Sequence, residues 1–352
     1  MTEPDRLPAP ASRHALALLR FPDPRTDWVV VTVATLDAPP DRLEERLDDL
    51  HRAVPVVGAR LDGETWVPGD PPPIEVVAGD PLLDRATDRP FDLATDAPLR
   101  LVRSDDGRRL AVVGHHAAFD GLALVAVLRA LVDGHRPRPV ASPPPGPPGS
   151  KRPLVERLVR PADRLAATPG VWPGDAFATR TVALSGRGIT GRIAAAAVAA
   201  AGDHQRRHRA ALAKVGLTIA VGGPAGVGNV ASYRRIDVAP TDPVAELVQA
   251  ALASPEEPGE QVSAPKLVLR ALQPVVERFS DTLLISNLGR QDVPGVQRID
   301  FFPVARGASA VCVASCAVAG AQTSLTVRAR DLSPGDARRL VDGIATRLAE
   351  PT

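Results

Sequence analysis

The chain has 352 residues, 44% hydrophobic and 24% charged, which is typical of a globular protein long enough for two lobes. Lysine and arginine number 42 against 41 aspartates and glutamates, so the net charge of +1 gives no reason to expect nucleic acid or a membrane surface as a partner. The sequence shows neither a secretory leader nor an apolar stretch of about 20 residues, and we therefore expect a cytoplasmic location without a membrane span.

The N-terminal part predicts a flexible lead over residues 1–13 and then mixed strands and helices. Apolar runs predict strands at residues 14–19 and 28–36. Leucines at helical spacing predict a helix at residues 41–54, and a DG turn predicts a hairpin at residues 55–69. His14 and His51 are interpreted as surface or core residues without function.

The central feature is the stretch LAVVGHHAAFDGLALVAVLRALVDG at residues 110–134. It predicts a strand paired with residues 99–104 through a DDGR turn, then a small-residue turn, then a buried helix. Because side chains alternate along a strand, His115 and His116 should point to opposite faces, and only one can face a shared cavity. Two roles are predicted for Asp120, and they are compatible with each other. It caps the N-terminus of the helix, or it fixes the loop that carries His116 through a charge-assisted hydrogen bond to an arginine.

The motif HHxxxDG resembles the signature of the condensation-domain and CoA-dependent acyltransferase superfamily, and is matched by His115, His116, Asp120 and Gly121. Residues 91–101, FDLATDAPLRL, resemble the segment that precedes this motif in the family. Residues 283–289, LLISNLG, are similar to the Ser-Asn strand of its second lobe. Three matches in the same order are more specific than one.

The resemblance implies an α/β fold of the α+β sandwich type, with two chloramphenicol-acetyltransferase-like lobes arranged as a pseudo-dimer around an interface tunnel. It assigns catalysis to His116, a mainly structural part to Asp120 and a supporting part to His115. Gly121 is expected to let the backbone turn tightly into the helix.

The proline-rich residues 141–160 predict a linker between an N-terminal lobe, residues 1–140, and a C-terminal lobe, residues 161–352. A polyproline ligand is the less favoured reading of PPPGPP. Residues 151–168 predict a basic amphipathic helix, interpreted as a solvated face or as a contact for an acidic carrier protein.

Second-lobe elements follow from composition and periodicity. Helices are predicted at residues 189–202, 242–253, 264–278 and 334–348, with strands at residues 178–186, 216–238 (two strands around a glycine-rich loop), 281–289, 295–304, 309–320 and 322–330. The last helix is expected to begin with Ser333 as N-cap and Pro334 in its first turn. The loop GGPAGVGN lacks the residues of a P-loop, and its GN pair resembles the place where family members run towards the other lobe.

Three further residue pairs carry open alternatives. His204 and His208 have the spacing of two metal ligands, but no third ligand is evident nearby, so an exposed cationic face is favoured and no metal site is predicted. Cys312 and Cys316 are interpreted as small buried apolar residues. Ser286 and Asn287 either bind substrate or end their strand through backbone hydrogen bonds.

The sequence therefore predicts a stand-alone acyltransferase that acts on a small-molecule acceptor, in natural-product (polyketide or nonribosomal peptide) or lipid biosynthesis. An acyl-CoA or a phosphopantetheinyl carrier-protein thioester is the expected donor, His116 the general base, and a hydroxyl or amine the nucleophile. No permanently bound cofactor is expected. The alternative is a non-catalytic module of the same fold that binds a partner protein or a small molecule.

Overall fold

The computed structural model describes residues 7–20, 26–79, 82–140, 159–170, 174–254, 280–305, 311–320 and 322–350. Within these ranges the helices are α1 (Arg13–Leu19), α2 (Leu43–Ala53), α3 (Leu82–Thr87), α4 (Gly121–Asp133), α5 (Ile189–Arg207), α6 (Val244–Ala253) and α7 (Pro334–Ala349). The strands are β1 (Ala9–Pro10), β2 (Val29–Leu36), β3 (Arg60–Asp62), β4 (Thr65–Val67), β5 (Ile74–Val77), β6 (Leu99–Ser104), β7 (Arg109–His115), β8 (Asp175–Val182), β9 (Val215–Val221), β10 (Ser232–Val238), β11 (Leu283–Gln291), β12 (Val296–Phe302), β13 (Val311–Val318) and β14 (Thr323–Arg330).

Two mixed sheets form the framework of the two lobes. The first has five strands in the order β12-β2-β7-β6-β5, and the second has six in the order β10-β9-β11-β13-β14-β8. The predicted pairing of β6 with β7 is antiparallel, as are the β13–β14 pair and the β9–β10 pair that encloses the glycine-rich loop. The α/β class and the arrangement in two lobes are confirmed.

Strand β12 comes from the C-terminal half of the chain but belongs to the first sheet. It pairs antiparallel with β2, with Ile299 opposite Ala34, and packs against β13 and β14 of the second sheet. The ring of Phe302 on this strand meets Phe177 of β8 edge-on, with 5.2 Å between ring centroids. Strand β12 therefore connects the two lobes, since it is paired within the first sheet and packed against the second.

Each lobe buries its own helices against its sheet. One face of the first sheet, with Val30 and Val112, packs against α2 and α4, and the other face, with Val31 and Val113, packs against α3. The second sheet packs one face against α5 and α7. Because α4 is apolar almost all round, it is buried on nearly every side, and the motif lies at its N-terminus.

Several predictions of secondary structure are wrong. The lead predicted to be flexible over residues 1–13 contains strand β1, because Ala9 and Pro10 pair antiparallel with β4 and the Ala11 amide donates to the Glu64 carbonyl at 2.8 Å. Residues 14–19 lie in helix α1, whose N-cap Ser12 accepts a hydrogen bond from the Ala15 amide at 3.1 Å, because a short apolar run fits a helix as well as a strand. Residues 161–168 have no regular secondary structure, since Pro161 cannot donate the backbone hydrogen bond that a continuing helix needs.

Other predictions lie outside the described residues or are confirmed. Residues 1–6, most of the linker at 141–158, the first part of the basic segment and the helix at 264–278 are outside them. Ser333 caps α7 as predicted by accepting from the Asp336 amide at 3.0 Å, and both Cys312 and Cys316 are buried free thiols. In the part of the chain that is described, no helix has the length and apolar character needed to span a membrane.

Candidate active site

The HHxxxDG motif forms the junction between strand β7 and helix α4. Strand β7 ends at His115, and the amides of Ala118 and Phe119 both donate to the His115 carbonyl, at 2.9 and 3.1 Å, which closes a tight turn. The His116 amide donates to the Trp28 carbonyl at 2.6 Å, which ties the turn to the residue before β2. The motif is therefore fixed on both sides by backbone contacts.

His115 points into the core. Its ring meets Phe91 edge-on at 6.0 Å, and its Nδ1 accepts a hydrogen bond from the Ala117 amide at 3.1 Å. Burial, and to a smaller extent the neighbouring His116, lower the pKa of His115 to about 3. His115 is therefore neutral at ordinary pH, and its contact with the Ala117 amide lies within the turn.

His116 is held in a single ring tautomer. Its Nδ1 lies 2.9 Å from the Phe119 carbonyl, and because a carbonyl can only accept, Nδ1 carries the proton. The lone pair is then on Nε2, which lies 3.1 Å from the hydroxyl of Tyr233, the donor in this contact. A base that acts through Nε2 needs this tautomer.

Residues from both lobes surround the His116 ring, which is only 7% exposed. Trp28 stacks beside it and His14 meets it edge-on, both with ring centroids at 6.5 Å. Asn229, in the loop between β9 and β10, donates from its side-chain amide to the His116 backbone carbonyl. The site is thus assembled at the boundary between the lobes, with Tyr233 on β10 as its second-lobe wall.

Sequence reasoning missed four of these neighbours, namely His14, Trp28, Asn229 and Tyr233. His14 had been interpreted as functionless, yet the structure brings it to the catalytic candidate. The signal available in the sequence was the GN pair at residues 228–229, whose predicted run towards the other lobe agrees with the Asn229 contact.

Asp120 caps α4 and also binds the second lobe. One carboxylate oxygen accepts from the Ala123 amide at 2.9 Å and the other from the Val230 amide at 3.0 Å, while its own amide donates to the Gly228 carbonyl at 3.2 Å. The predicted arginine partner is wrong among the described residues, because backbone amides occupy both oxygens. Burial raises the pKa of Asp120 although these amide hydrogen bonds oppose the shift.

Gly121 is required for a different reason from the one predicted. A Cβ atom there would lie 2.6 Å from the Phe301 ring and 2.9 Å from a methyl group of Leu288, and its backbone is outside the left-handed region. The glycine therefore permits β12 and β11 to approach the start of α4, and an unusual backbone turn is not the reason.

Ser286 and Asn287 lie on β11, which continues to Gln291 beyond an irregularity that follows Asn287. The Asn287 side chain accepts from Ser315 and from the Gly289 amide, both at 2.9 Å, and donates to Thr190 at 3.0 Å. These contacts give Asn287 a structural part, but the prediction that the strand ends there is wrong, because β11 resumes its pairing with β13 at Arg290. Ser286 is 6% exposed, and substrate binding by either residue stays a prediction.

Two surface cavities of about 620 and 420 Å³ lie in the part of the chain that is described. The larger one lies beside Arg192 and Leu348, and the smaller one lies beside Arg180 and Asp300 between the two sheets. Neither includes His116, so the tunnel implied by the resemblance does not coincide with either of them.

Comparison with known proteins is informative at the level of structure. No family model matches the chain, and neither does any curated protein. The epimerization domain from the third module of tyrocidine synthetase B has a TM-score of 0.59 at 13% identity, over 99% of this chain and 97% of that one. A double mutant of the starter condensation domain of rhizomide synthetase, in complex with C8-CoA and Leu-SNAC, has a TM-score of 0.59 at 11% identity, over 97% of this chain and 94% of that one.

A third similar structure is the first condensation domain of the calcium-dependent antibiotic synthetase, in complex with a substrate analogue. It has a TM-score of 0.57 at 15% identity, over 98% of this chain and 97% of that one. Coverage this complete includes both lobes, and the resemblance drawn from the sequence is confirmed for the fold. The chain therefore has the fold of the condensation-domain superfamily.

Proposed function

We propose that this protein is an acyltransferase that moves an acyl group from a thioester to a hydroxyl or amine acceptor, with His116 as general base. The observation that carries the proposal is the His116 ring, whose Nδ1–H is fixed on the Phe119 carbonyl so that Nε2 is the basic atom. Histidine is a common general base in enzymes, because an imidazole can both take and return a proton near neutral pH.

The reaction needs no covalent intermediate on the protein. His116 Nε2 takes the proton of the acceptor as its oxygen or nitrogen attacks the thioester carbonyl and forms the new C–O or C–N bond. When the C–S bond breaks, the departing thiolate takes the proton back from the imidazolium, which returns His116 to its neutral state. Holding both substrates between the lobes contributes through proximity.

The donor is proposed to be a CoA or carrier-protein thioester. The similar rhizomide synthetase domain was crystallised with an acyl-CoA and an aminoacyl thioester, which supports this class of donor here. Polyketide and nonribosomal peptide synthetases also supply other similar structures, and this favours natural-product over lipid biosynthesis. We propose that the acyl or peptidyl carrier protein, where it is the donor, is the protein partner.

Tyr233 controls access to the base. Its hydroxyl occupies the position on Nε2 that the acceptor needs, so the acceptor must displace it before proton transfer. Asp120 holds the loop that leads to Tyr233 through the Val230 amide, and we assign it a positioning part rather than a step in the reaction.

Two observations favour the alternative of a non-catalytic binding module. His116 is only 7% exposed, and its Nε2 is covered by the Tyr233 hydroxyl. Such a module has the same fold but catalyses no reaction, and its function is to bind a partner protein or a small molecule.

Incubation of the full chain with a panel of acyl-CoAs, acyl-carrier proteins and amine or alcohol acceptors, read by intact mass, separates the two functions. Octanoyl-CoA is the first donor, because a similar domain was solved with C8-CoA. We expect turnover by the wild type, a loss of about 10²–10⁴-fold in His116→Ala and none in His135→Gln, which changes an exposed histidine. Turnover that persists in His116→Ala refutes the general base, and product from no pair in the panel favours the binding module.

A further inference from the structure

A second cluster of histidines lies in the C-terminal lobe, away from the HHxxxDG motif. His204 is in the last turn of α5 and His208 follows one turn later, at the end of that helix. Asp336 is in the first turn of α7, which packs against α5. The three residues thus meet where the end of one helix touches the start of another.

The distances between the three side chains fit metal coordination. One nitrogen from each histidine and one oxygen of Asp336 all lie within 4.8 Å of one another, and His208 Nε2 is 3.7 Å from Asp336 Oδ2. Tetrahedral zinc with bonds of about 2.0–2.1 Å separates its ligand atoms by about 3.4 Å. Small side-chain rotations are therefore sufficient to close the group around an ion.

His204 is oriented as a metal ligand is oriented. Its side chain is fully buried, and its Nε2 lies 2.8 Å from the Ala166 carbonyl, to which it must donate. The proton is then on Nε2 and the lone pair on Nδ1, which is buried and has no hydrogen-bond partner among the described residues. Histidine ligands characteristically donate their second N–H to a carbonyl or carboxylate, and a buried, unsatisfied lone pair is otherwise costly.

Asp336 is also held in place by neighbours. Oδ2 accepts from the hydroxyls of Thr168 at 2.5 Å and Ser333 at 3.1 Å, and Oδ1 accepts from Arg339 at 3.0 Å. Arg339 can keep its hydrogen bond to Oδ1 while a metal ion takes the place of one of the two hydroxyl donors at Oδ2. Hydrogen bonds to a ligating carboxylate are the usual outer shell of a metal site.

We propose that His204, His208 and Asp336 bind a divalent transition-metal ion of the zinc type, with two imidazole nitrogens and one carboxylate oxygen as ligands. The ion ties the end of α5 to the start of α7, and so acts on the stability of the C-terminal lobe. The sequence-based prediction of an exposed cationic face is wrong for His204, because that residue is buried and Asp336, distant in sequence, supplies the missing third ligand.

Titration of the full chain with Zn²⁺, on protein prepared without a histidine tag, tests the site together with thermal unfolding. We expect one zinc per chain and a melting temperature raised by about 5 °C at roughly 100 times the dissociation constant. His208→Gln should fold, since the His208 side chain is 20% exposed, and should weaken zinc binding at least about tenfold. His135→Gln, the matched control, should bind as the wild type does.

Two results of the zinc titration would overturn the proposal: no zinc bound by the wild type, or equal affinity in His208→Gln and the wild type. Cobalt(II) gives a second readout, since four-coordinate cobalt absorbs strongly in the visible range. A wild-type spectrum typical of six-coordinate cobalt, unchanged by His208→Gln, also contradicts the site. Melting of each variant without metal confirms that it is folded.

Discussion

The buried His115 makes the stability of the protein depend on pH in a defined direction. Its pKa falls from an ordinary value of about 6.5 in the unfolded chain to about 3 in the folded protein, because burial penalises the charged ring. Between these values the unfolded state binds a proton that the folded state does not. The free energy of unfolding is therefore not reduced by His115 above about pH 6.5, and it falls progressively as the pH drops from 6.5 towards 3.

The size of the effect follows from the shift. Between the two pKa values, each pH unit of acidification lowers the free energy of unfolding by about 1.4 kcal/mol. Acidification from pH 7 to pH 5 should therefore lower it by about 2 kcal/mol through His115 alone. His115→Asn removes this contribution but keeps an oxygen that can accept from the Ala117 amide, as Nδ1 does in the wild type. The comparison with this variant reports on His115 alone. His204 is another histidine whose pKa is lowered by burial, but it is the same in both proteins.

Urea unfolding of the wild type and His115→Asn at pH 7 and pH 5 measures the difference directly. We expect the wild type to lose about 2 kcal/mol more than the variant over this interval. Equal losses in the two proteins would mean that His115 is protonated as easily in the fold as outside it, which would refute the reasoning from burial.

Two further predictions concern the walls of the site. Tyr233→Phe removes the hydroxyl that covers His116 Nε2, and since a hydrogen bond is worth about 0.5–1.5 kcal/mol, kcat/KM should rise about two- to tenfold in acyl-transfer assays. Asp120→Ala leaves the buried amides of Ala123 and Val230 without partners and should lower the free energy of unfolding by about 2–4 kcal/mol, with a smaller loss in Asp120→Asn.

Each of these has a clear contrary result. A large loss of kcat/KM in Tyr233→Phe would show that the tyrosine hydroxyl takes part in proton transfer instead of covering the base. An Asp120→Ala variant as stable as the wild type in urea would show that the two lobes do not depend on this carboxylate.

The sequence predicts those parts of the fold that depend on neighbouring residues. The strand, turn and helix at residues 110–134 and the caps of α4 and α7 are local, since an Asp or Ser side chain bonds an amide three positions along the chain. Residues 14–19 show the limit, because six apolar-rich residues fit a strand and a helix equally well.

The remaining features depend on contacts between distant parts of the chain. Tyr233 reaches His116 because β10 forms the edge of the second sheet, and no spacing in the sequence encodes that contact. The same holds for β12, which crosses to the first sheet, and for Asp336, which meets His204 through the packing of α7 against α5. The motif identifies Gly121 in the sequence, but the reason that a glycine is needed there is the closeness of the Phe301 ring.

The general base is the central claim, and one comparison tests it most directly: the rate of acyl transfer by wild type and by His116→Ala, at equal folded fraction, with octanoyl-CoA and the best acceptor of the panel. We predict a fall of about 10²–10⁴-fold while the melting temperature stays within a few degrees. A variant that transfers acyl groups at the wild-type rate would contradict the assignment of His116 as the base.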